Sequence, residues 1–205
     1  MRNPFPRRYP MRRFPWLLLP GVAVLVVAAC SSAPPPAESP LRTVATIKDI
    51  MDSMVDPSAD VLWESVATIV SAAGTEERRP KTDEDWKLVR RHAVILTEAT
   101  NLLVMEGRHV AKPGDRSENP GIELEPEEME KLIAEDRPSF VTLAHALHDA
   151  GMAALKAIDA RNAEELMNSG ETIDAACESC HLKYWYPLSL QADKAKSGAA
   201  SPRKQ

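Results

Sequence analysis

Apolar residues recur every three or four positions through most of the chain after residue 40, and this spacing is the period of an amphipathic helix. Residues 81–106 contain neither proline nor glycine, and residues 139–186 contain no proline and only two glycines, so little in these runs would interrupt a helix. The pattern predicts four helices, over residues 41–73, 82–104, 140–158 and 162–184. Four amphipathic helices predict an all-α fold, an antiparallel four-helix bundle.

Local signals for the start of a helix occur at three places in the chain. Thr82 is followed by three acidic residues, and Asn162 is followed three residues later by a glutamate that resembles a capping box, so a helix should begin after each. In the first segment Asp56 precedes Pro57, the pattern of an N-cap before proline at the first helical position. We therefore expect the first helix to be bent or broken near Asp56-Pro57 and then to continue to about residue 73.

The first forty residues differ from the rest, since they hold nine of the 17 prolines. Residues 1–15 carry five arginines and no acid, and residues 16–29 are apolar apart from one Pro-Gly pair, which is the pattern of a signal peptide. The apolar stretch is too short and too interrupted for a transmembrane helix. It ends in Val27-Ala28-Ala29-Cys30, which resembles the bacterial lipobox, where the cysteine is acylated and becomes the mature N-terminus. An ordinary signal peptide with an incidental cysteine, or an uncleaved anchor, is the alternative.

These features predict four regions: a lipoprotein signal peptide over 1–29, the lipidated Cys30 with a flexible Pro- and Ser-rich tether over 30–40, a helical domain over 41–188, and a disordered tail over 189–205. The protein is expected to be exported and to lie on the periplasmic face of a bacterial membrane, held by its lipid anchor alone. Ser31 follows the cysteine where an aspartate would signal retention in the inner membrane, so by resemblance to enterobacterial sorting the outer membrane is favoured.

The net charge of the chain argues against some classes of binding partner. The full chain carries 25 Lys and Arg against 30 Asp and Glu, and loss of residues 1–29 would leave 20 against 30, a net charge of −10. A nucleic-acid-binding protein needs a basic face, so this composition argues against one. An acidic surface favours a basic docking face on any partner.

One motif carries strong chemical information. Cys177-Glu178-Ser179-Cys180-His181 is C-x-x-C-H, the attachment signature of c-type haem. Two thiols on one helical turn can form thioethers with the two vinyl groups of a porphyrin, and the histidine that follows can bind the iron. The alternatives are a thiol redox pair, which leaves His181 unexplained, and half of a zinc site, which needs another Cys or His pair when the only other cysteine is Cys30. We expect one covalent haem c, attached after export.

The motif lies on the last predicted helix, whereas in most small c-type cytochromes it lies near the start of the domain. This position resembles the class II cytochromes c, the cytochrome c-prime family. The resemblance covers residues 41–188 and is topological except over the last helix, where it is specific. The similar positions there are Ala157, Ala163, Gly170, Ile173, Ala176, the Cys177–His181 motif, Lys183 and Tyr184.

The resemblance implies that the first helix supplies or blocks the sixth iron ligand. A methionine there gives a six-coordinate, low-spin electron carrier, and a bulky non-ligand gives a five-coordinate haem that binds nitric oxide or carbon monoxide. Met51 and Met54 both lie on the apolar stripe of the first helix. The stretch Ile47-Lys48-Asp49-Ile50-Met51 resembles the low-spin subgroup in which Met51 is the recurring position, so we expect Met51 as the ligand, with Met54 as the alternative. Either methionine could instead be a core residue.

The sequence thus predicts a monohaem cytochrome that passes single electrons between periplasmic or membrane redox proteins and is not an enzyme. A five-coordinate haem module that sequesters or senses gas is the first alternative, and an accessory lipoprotein whose haem holds the bundle together is the second. Dimers of the family pair through their first helices, so a homodimer is an open alternative to a monomer.

Overall fold

The computed structural model describes residues 41–188, and most of them are helical. The helical elements are α1 (Ile47–Ile50), a π-helical turn (Met51–Val55), α2 (Asp56–Ser65), α3 (Asp83–Leu103), α4 (Pro126–Glu135), α5 (Arg137–Asp159) and α6 (Ala163–Tyr184). Two short antiparallel strands, β1 (Ala67–Ser71) and β2 (Gly74–Arg78), form a hairpin between α2 and α3. The signal peptide, Cys30, the tether and the tail that the sequence predicts lie outside the described residues.

The first helical segment is irregular at the predicted place, but it is not broken. Asp56 has helical dihedral angles (φ −57°, ψ −56°), and its N–H donates to the carbonyl of Met51, five residues back. It is therefore inside the helix and is not the N-cap that the sequence predicts. Pro57 lacks an N–H and its ring crowds the carbonyl of Ser53, and the wider π-helical turn accommodates it without ending the helix.

The prediction of a helix to residue 73 is wrong, because α2 ends at Ser65 and the chain enters the hairpin. Ala67 pairs with Arg78, and the reversal occurs before Gly74, which has a φ of +126° that glycine adopts easily. The apolar residues here fit a helical stripe by spacing alone. Three successive β-branched residues, Thr68-Ile69-Val70, instead favour an extended strand.

The predicted starts of α3 and α6 are confirmed. The Thr82 side chain accepts from the N–H of Asp85, whose carboxylate accepts from the N–H of Thr82, so α3 begins with a capping box. Asn162 accepts from the N–H groups of Glu164 and Glu165 and caps α6. In both cases a side chain satisfies backbone donors that have no partner within the helix.

Helix α5 packs along both α3 and α6, and α2 packs against α3 and α6. At the crossing of α3 and α5, a Cβ added to Gly151 would overlap Thr97 Oγ1, so only glycine allows this approach. The core between the helices is aliphatic and includes fully buried side chains from α1, α2, α3 and α6. The largest of these are Ile50, Leu62, Leu96, Leu166 and Ile173. Within residues 41–188, no helix combines the length and apolar character needed to cross a membrane.

The segment between α3 and α4 connects the start of α1 to the end of α6. The N–H groups of Ile47 and Lys48 donate to the carbonyls of His109 and Val110, both at 2.9 Å. Further along, the N–H of Leu124 donates to the carbonyl of residue 185 at 2.8 Å. The segment therefore covers the end of the molecule where α6 finishes and where the C-x-x-C-H motif lies.

Candidate haem attachment site

The motif occupies the last two turns of α6. Cys177, Cys180 and His181 are at positions i, i+3 and i+4, so they share one face of the helix. All three are half-buried, and both thiols are free of disulfide bonds. Ordinary helical geometry thus places two thiols and an imidazole side by side, facing the packed interior.

Both thiols are held in the protonated form. Burial raises the pKa of Cys177 and of Cys180 to about 11, from an ordinary value of 9.0. Reactive cysteine pairs have a lowered pKa, which a helix N-terminus or a neighbouring cation provides, whereas these residues lie at the C-terminal, negative end of α6. The environment therefore argues against the thiol redox pair.

The donor atoms of the motif do not converge on one point. Among residues 41–188, no group of three or more His, Cys, Asp and Glu side chains, including Cys177, Cys180 and His181 themselves, is arranged to hold a metal ion. A structural zinc site requires four such ligands in a tetrahedron. A haem requires only that the thiols reach the edge of the macrocycle and the imidazole its centre, so this finding bears on the zinc alternative alone.

The imidazole of His181 lies in an aromatic pocket at the end of α6. Burial lowers its pKa, which favours the neutral form that binds metals. The Trp185 indole packs edge-to-face against it, with ring centroids 4.9 Å apart. The Tyr186 hydroxyl lies 3.4 Å from His181 Nδ1 and 2.7 Å from Glu178 Oε2.

The end of α6 is anchored to the start of α5. Lys183 Nζ forms an ion pair with the Asp136 carboxylate at 2.7 Å, and the Tyr184 hydroxyl donates to the Asp136 carbonyl at 3.2 Å. The buried Tyr184 ring also packs edge-to-face on Phe140, with centroids 5.6 Å apart. The Lys183 ion pair and the packing of the Tyr184 ring hold the motif in place, since His181 lies within one turn of both residues.

One hydrogen bond joins α2 to α6, because the Trp63 Nε1–H donates to the carbonyl of Gly170 at 3.1 Å. Asp56 lies seven residues before Trp63, and Cys177 lies seven residues after Gly170. Burial is the main influence on the pKa values of Cys177 and His181, and the Asp56 carboxylate adds a smaller upward effect on both.

The π-helical turn precedes Asp56 and carries both candidate methionines. Met51 and Met54 are half-buried and pack against the core. The structure therefore groups Cys177, Cys180 and His181 on one face of α6 and places Met51 and Met54 on the helical segment that leads into α2. The ligation of iron by either methionine stays a prediction, as does the lipidation of Cys30, which lies outside the described residues.

Sequence analysis did not single out Glu178, Trp185 or Tyr186. The visible signal was the aromatic run Tyr184-Trp185-Tyr186 directly after the motif. The role of these aromatic residues depends on a turn after α6. In this turn the N–H groups of Trp185 and Tyr186 both donate to the carbonyl of His181, at 2.8 and 3.0 Å. This turn folds the two rings back over the imidazole.

A groove elsewhere carries no comparable chemistry. It measures about 240 Å³ and lies between the hairpin and the start of α6, with Val66, Thr68 and Met167 in its walls. Met167 precedes Cys177 by ten residues, about 15 Å along the helix, so the groove is remote from the motif.

The residues present fit a covalent haem c. The two half-buried thiols are free, burial lowers the pKa of the imidazole and favours its neutral form, and methionine thioethers lie in the π-helical turn of the first helical segment. This is the donor set of a haem with two thioether links and with His and Met as axial ligands. Comparison of the chain with protein-family models, with curated proteins and with solved structures finds no match.

Proposed function

We propose that this protein is a monohaem c-type cytochrome that carries single electrons. The observation that carries the proposal is the C-x-x-C-H motif at the end of α6, with two half-buried thiols of raised pKa beside an imidazole whose pKa burial lowers. Burial and the end of the helix dipole suit these cysteines to a permanent covalent link better than to thiol exchange.

The bound haem would supply a one-electron Fe(III)/Fe(II) couple. Cys177 and Cys180 would hold the macrocycle, His181 would provide one axial ligand, and Met51 the other, with Met54 as the alternative. The first helical segment together with α3, α5 and α6 would enclose the group as an antiparallel four-helix bundle. Their aliphatic core would keep water from the iron, which limits reorganisation when the charge of the iron changes.

A bound thioether favours electron transfer over gas binding. It fills the sixth position, where a gas would otherwise enter, and it stabilises Fe(II), which raises the reduction potential. Met51 and Met54 are half-buried on the first helical segment, and a thioether from either would favour this function over the five-coordinate alternative. With no open coordination position, the protein would perform no substrate chemistry and would not be an enzyme.

The proposed setting is the periplasmic face of a bacterial membrane. Acylation of Cys30 would anchor the protein, and residues 31–40 would let the helical domain move along the membrane surface between partners. Those partners would be periplasmic or membrane redox proteins, and the acidic mature chain would dock best on a basic face.

The first experiment is expression of the full chain in a bacterium that attaches c-type haem, followed by haem staining of a denaturing gel. The wild-type band should stain, and a variant with Cys177→Ser and Cys180→Ser should not. Cys30→Ser is the matched control, because it also removes a thiol but should leave the stain unchanged. An unstained wild-type band would disprove the haem assignment.

Absorption spectra then separate the electron carrier from the gas-binding protein. We expect a sharp low-spin reduced spectrum, a weak far-red methionine-to-iron band in the oxidised form and little response to carbon monoxide. Met51→Ala should abolish the far-red band and allow carbon monoxide to bind, whereas Met54→Ala should change neither. The reverse result would assign Met54, and a gas response in the wild type would favour the five-coordinate alternative.

A further inference from the structure

Three groups at the end of α6 form a chain of contacts that the proposed function does not use. The Tyr186 hydroxyl oxygen lies 2.7 Å from Glu178 Oε2 and 3.4 Å from His181 Nδ1. Glu178 belongs to α6, and Tyr186 returns to it because its backbone N–H donates to the carbonyl of His181. The position of Glu178 on α6 and the turn after α6 thus bring the Tyr186 hydroxyl between the Glu178 carboxylate and the His181 imidazole.

The proton positions in this chain of contacts follow from the number of donors. A tyrosine hydroxyl has one proton, and an ionised carboxylate can only accept, so the short contact to Glu178 takes that proton. Toward His181 the Tyr186 oxygen can then only accept, and the proton in that contact must belong to Nδ1. The arrangement therefore selects the Nδ1–H tautomer and leaves the lone pair of Nε2 free.

We propose that Tyr186, held by Glu178, is a positioning residue that fixes the tautomer and orientation of His181 and lowers the reduction potential of the iron that it binds. This inference rests on the proposed function. A negatively charged acceptor behind the hydroxyl strengthens the hydrogen bond from Nδ1–H and makes the imidazole a more basic ligand. A more basic axial ligand stabilises Fe(III) relative to Fe(II), the opposite of the effect of a methionine thioether.

The surroundings of the pair suit this role. The His181 side chain is half-buried, and the Trp185 indole packs edge-to-face against it with ring centroids 4.9 Å apart, so the imidazole is held on a second side.

The test uses the full chain with haem attached and compares Tyr186→Phe with Tyr184→Phe. Both variants lose one hydroxyl from the end of α6, but the Tyr184 hydroxyl donates to the carbonyl of Asp136 and does not contact His181. At a fixed electrode potential, Tyr186→Phe should raise the Fe(II) to Fe(III) ratio on the order of tenfold, a shift of about 59 mV for one electron, and Tyr184→Phe should leave it unchanged.

A second readout is the exchange of the His181 Nδ1 proton with solvent, followed by NMR on the same haem-loaded proteins. It should be faster in Tyr186→Phe and unchanged in Tyr184→Phe, because only the first loses the acceptor. Glu178→Gln, a change on an exposed position, should raise the potential in the wild type and have less effect in Tyr186→Phe, because it acts through the hydroxyl.

The outcomes keep the two proposals apart. If haem attaches and both Tyr186→Phe and Glu178→Gln keep the wild-type potential and exchange rate, the positioning role is disproved and the cytochrome assignment stands. If the wild-type chain takes up no haem, the proposed function itself fails.

Discussion

Trp63 and Gly170 set the distance between α2 and α6. The indole Nε1–H donates to the Gly170 carbonyl at 3.1 Å, and a Cβ added at Gly170 would lie 3.0 Å from Trp63 Cδ1. This close approach occurs two helical turns before Cys177. The contact therefore fixes how closely α2 packs on the helix that carries the motif.

We therefore expect Gly170→Ala to destabilise the protein. Alanine favours a helix over glycine by about 1 kcal/mol, but the new methyl group would push on the indole, and overpacking costs about 1–3 kcal/mol. The free energy of unfolding, measured by urea titration, should fall by about 1 kcal/mol. In a Trp63→Ala background the same change should be neutral or stabilising, and an equal loss in both backgrounds would contradict this account.

The two motif thiols should react slowly in the folded chain prepared without haem. Their pKa of about 11, against an ordinary 9.0, leaves about a hundredfold less thiolate at neutral pH. Alkylation by iodoacetamide at pH 7 should therefore be about a hundredfold slower than in the same chain unfolded in urea, and it should speed up as the pH rises toward 11. Rapid alkylation at pH 7 would instead indicate an activated redox pair.

Asp49 should contribute to stability in a pH-dependent way. The hydrogen bond from Lys112, followed by those from the N–H and hydroxyl of Thr46, lowers its pKa from 3.8 to about 2. Because the folded-state pKa is the lower one, the contribution is fully present above the ordinary pKa and is lost as the pH falls from about 4 to about 2.

Unfolding of Asp49→Asn and wild type should be compared across this range. The wild type should be more stable by a constant margin from about pH 5 upward, and the margin should shrink as the pH falls toward 2. Lys112→Gln, which removes the largest cause of the shift, should show a smaller pH dependence than the wild type. A margin that stays constant down to pH 2 would show that Asp49 does not titrate in this way.

The β-hairpin should be dispensable for the site. Nearly all of its residues are exposed, and Ala67 pairs directly with Arg78, so an Asn-Gly turn can join these two positions. Replacing residues 68–77 in this way should change the free energy of unfolding by no more than about 0.5 kcal/mol. The haem spectrum of the shortened protein should match that of the wild type, and a loss of haem would show that the hairpin supports the site.

The sequence was informative where one local signal determined the structure. The helical period and the side chains of Thr82 and Asn162 predicted the starts of α3 and α6 correctly, since capping involves only neighbouring residues. The apolar pattern was misleading after Ser65. The spacing of the apolar residues there suits a helix, whereas their β-branched side chains favour a strand. The spacing of hydrophobic and polar residues also contains no signal for a π-helical turn. The form of this turn depends on how the Pro57 ring packs against the preceding turn of the helix.

At the site, the C-x-x-C-H motif could be recognised from the sequence because both cysteines and the histidine lie within five residues. The role of Tyr186 was not readable, because it depends on the chain folding back by one hydrogen bond after α6. The packing of α2 on α6 depends on a contact between residues 107 positions apart, Trp63 and Gly170. Such long-range geometry has no local signature in the sequence.

The π-helical turn at Met51–Val55 has an evolutionary consequence. Such a turn corresponds to one residue more than a regular α-helix would use, so a single-codon deletion within it could restore an α-helix. The turn absorbs its extra residue locally, so the helical turns on either side would keep nearly their present orientation after the deletion. One mutational event in this short segment would therefore rearrange Met51 and Met54 and leave the rest of the first helical segment in place.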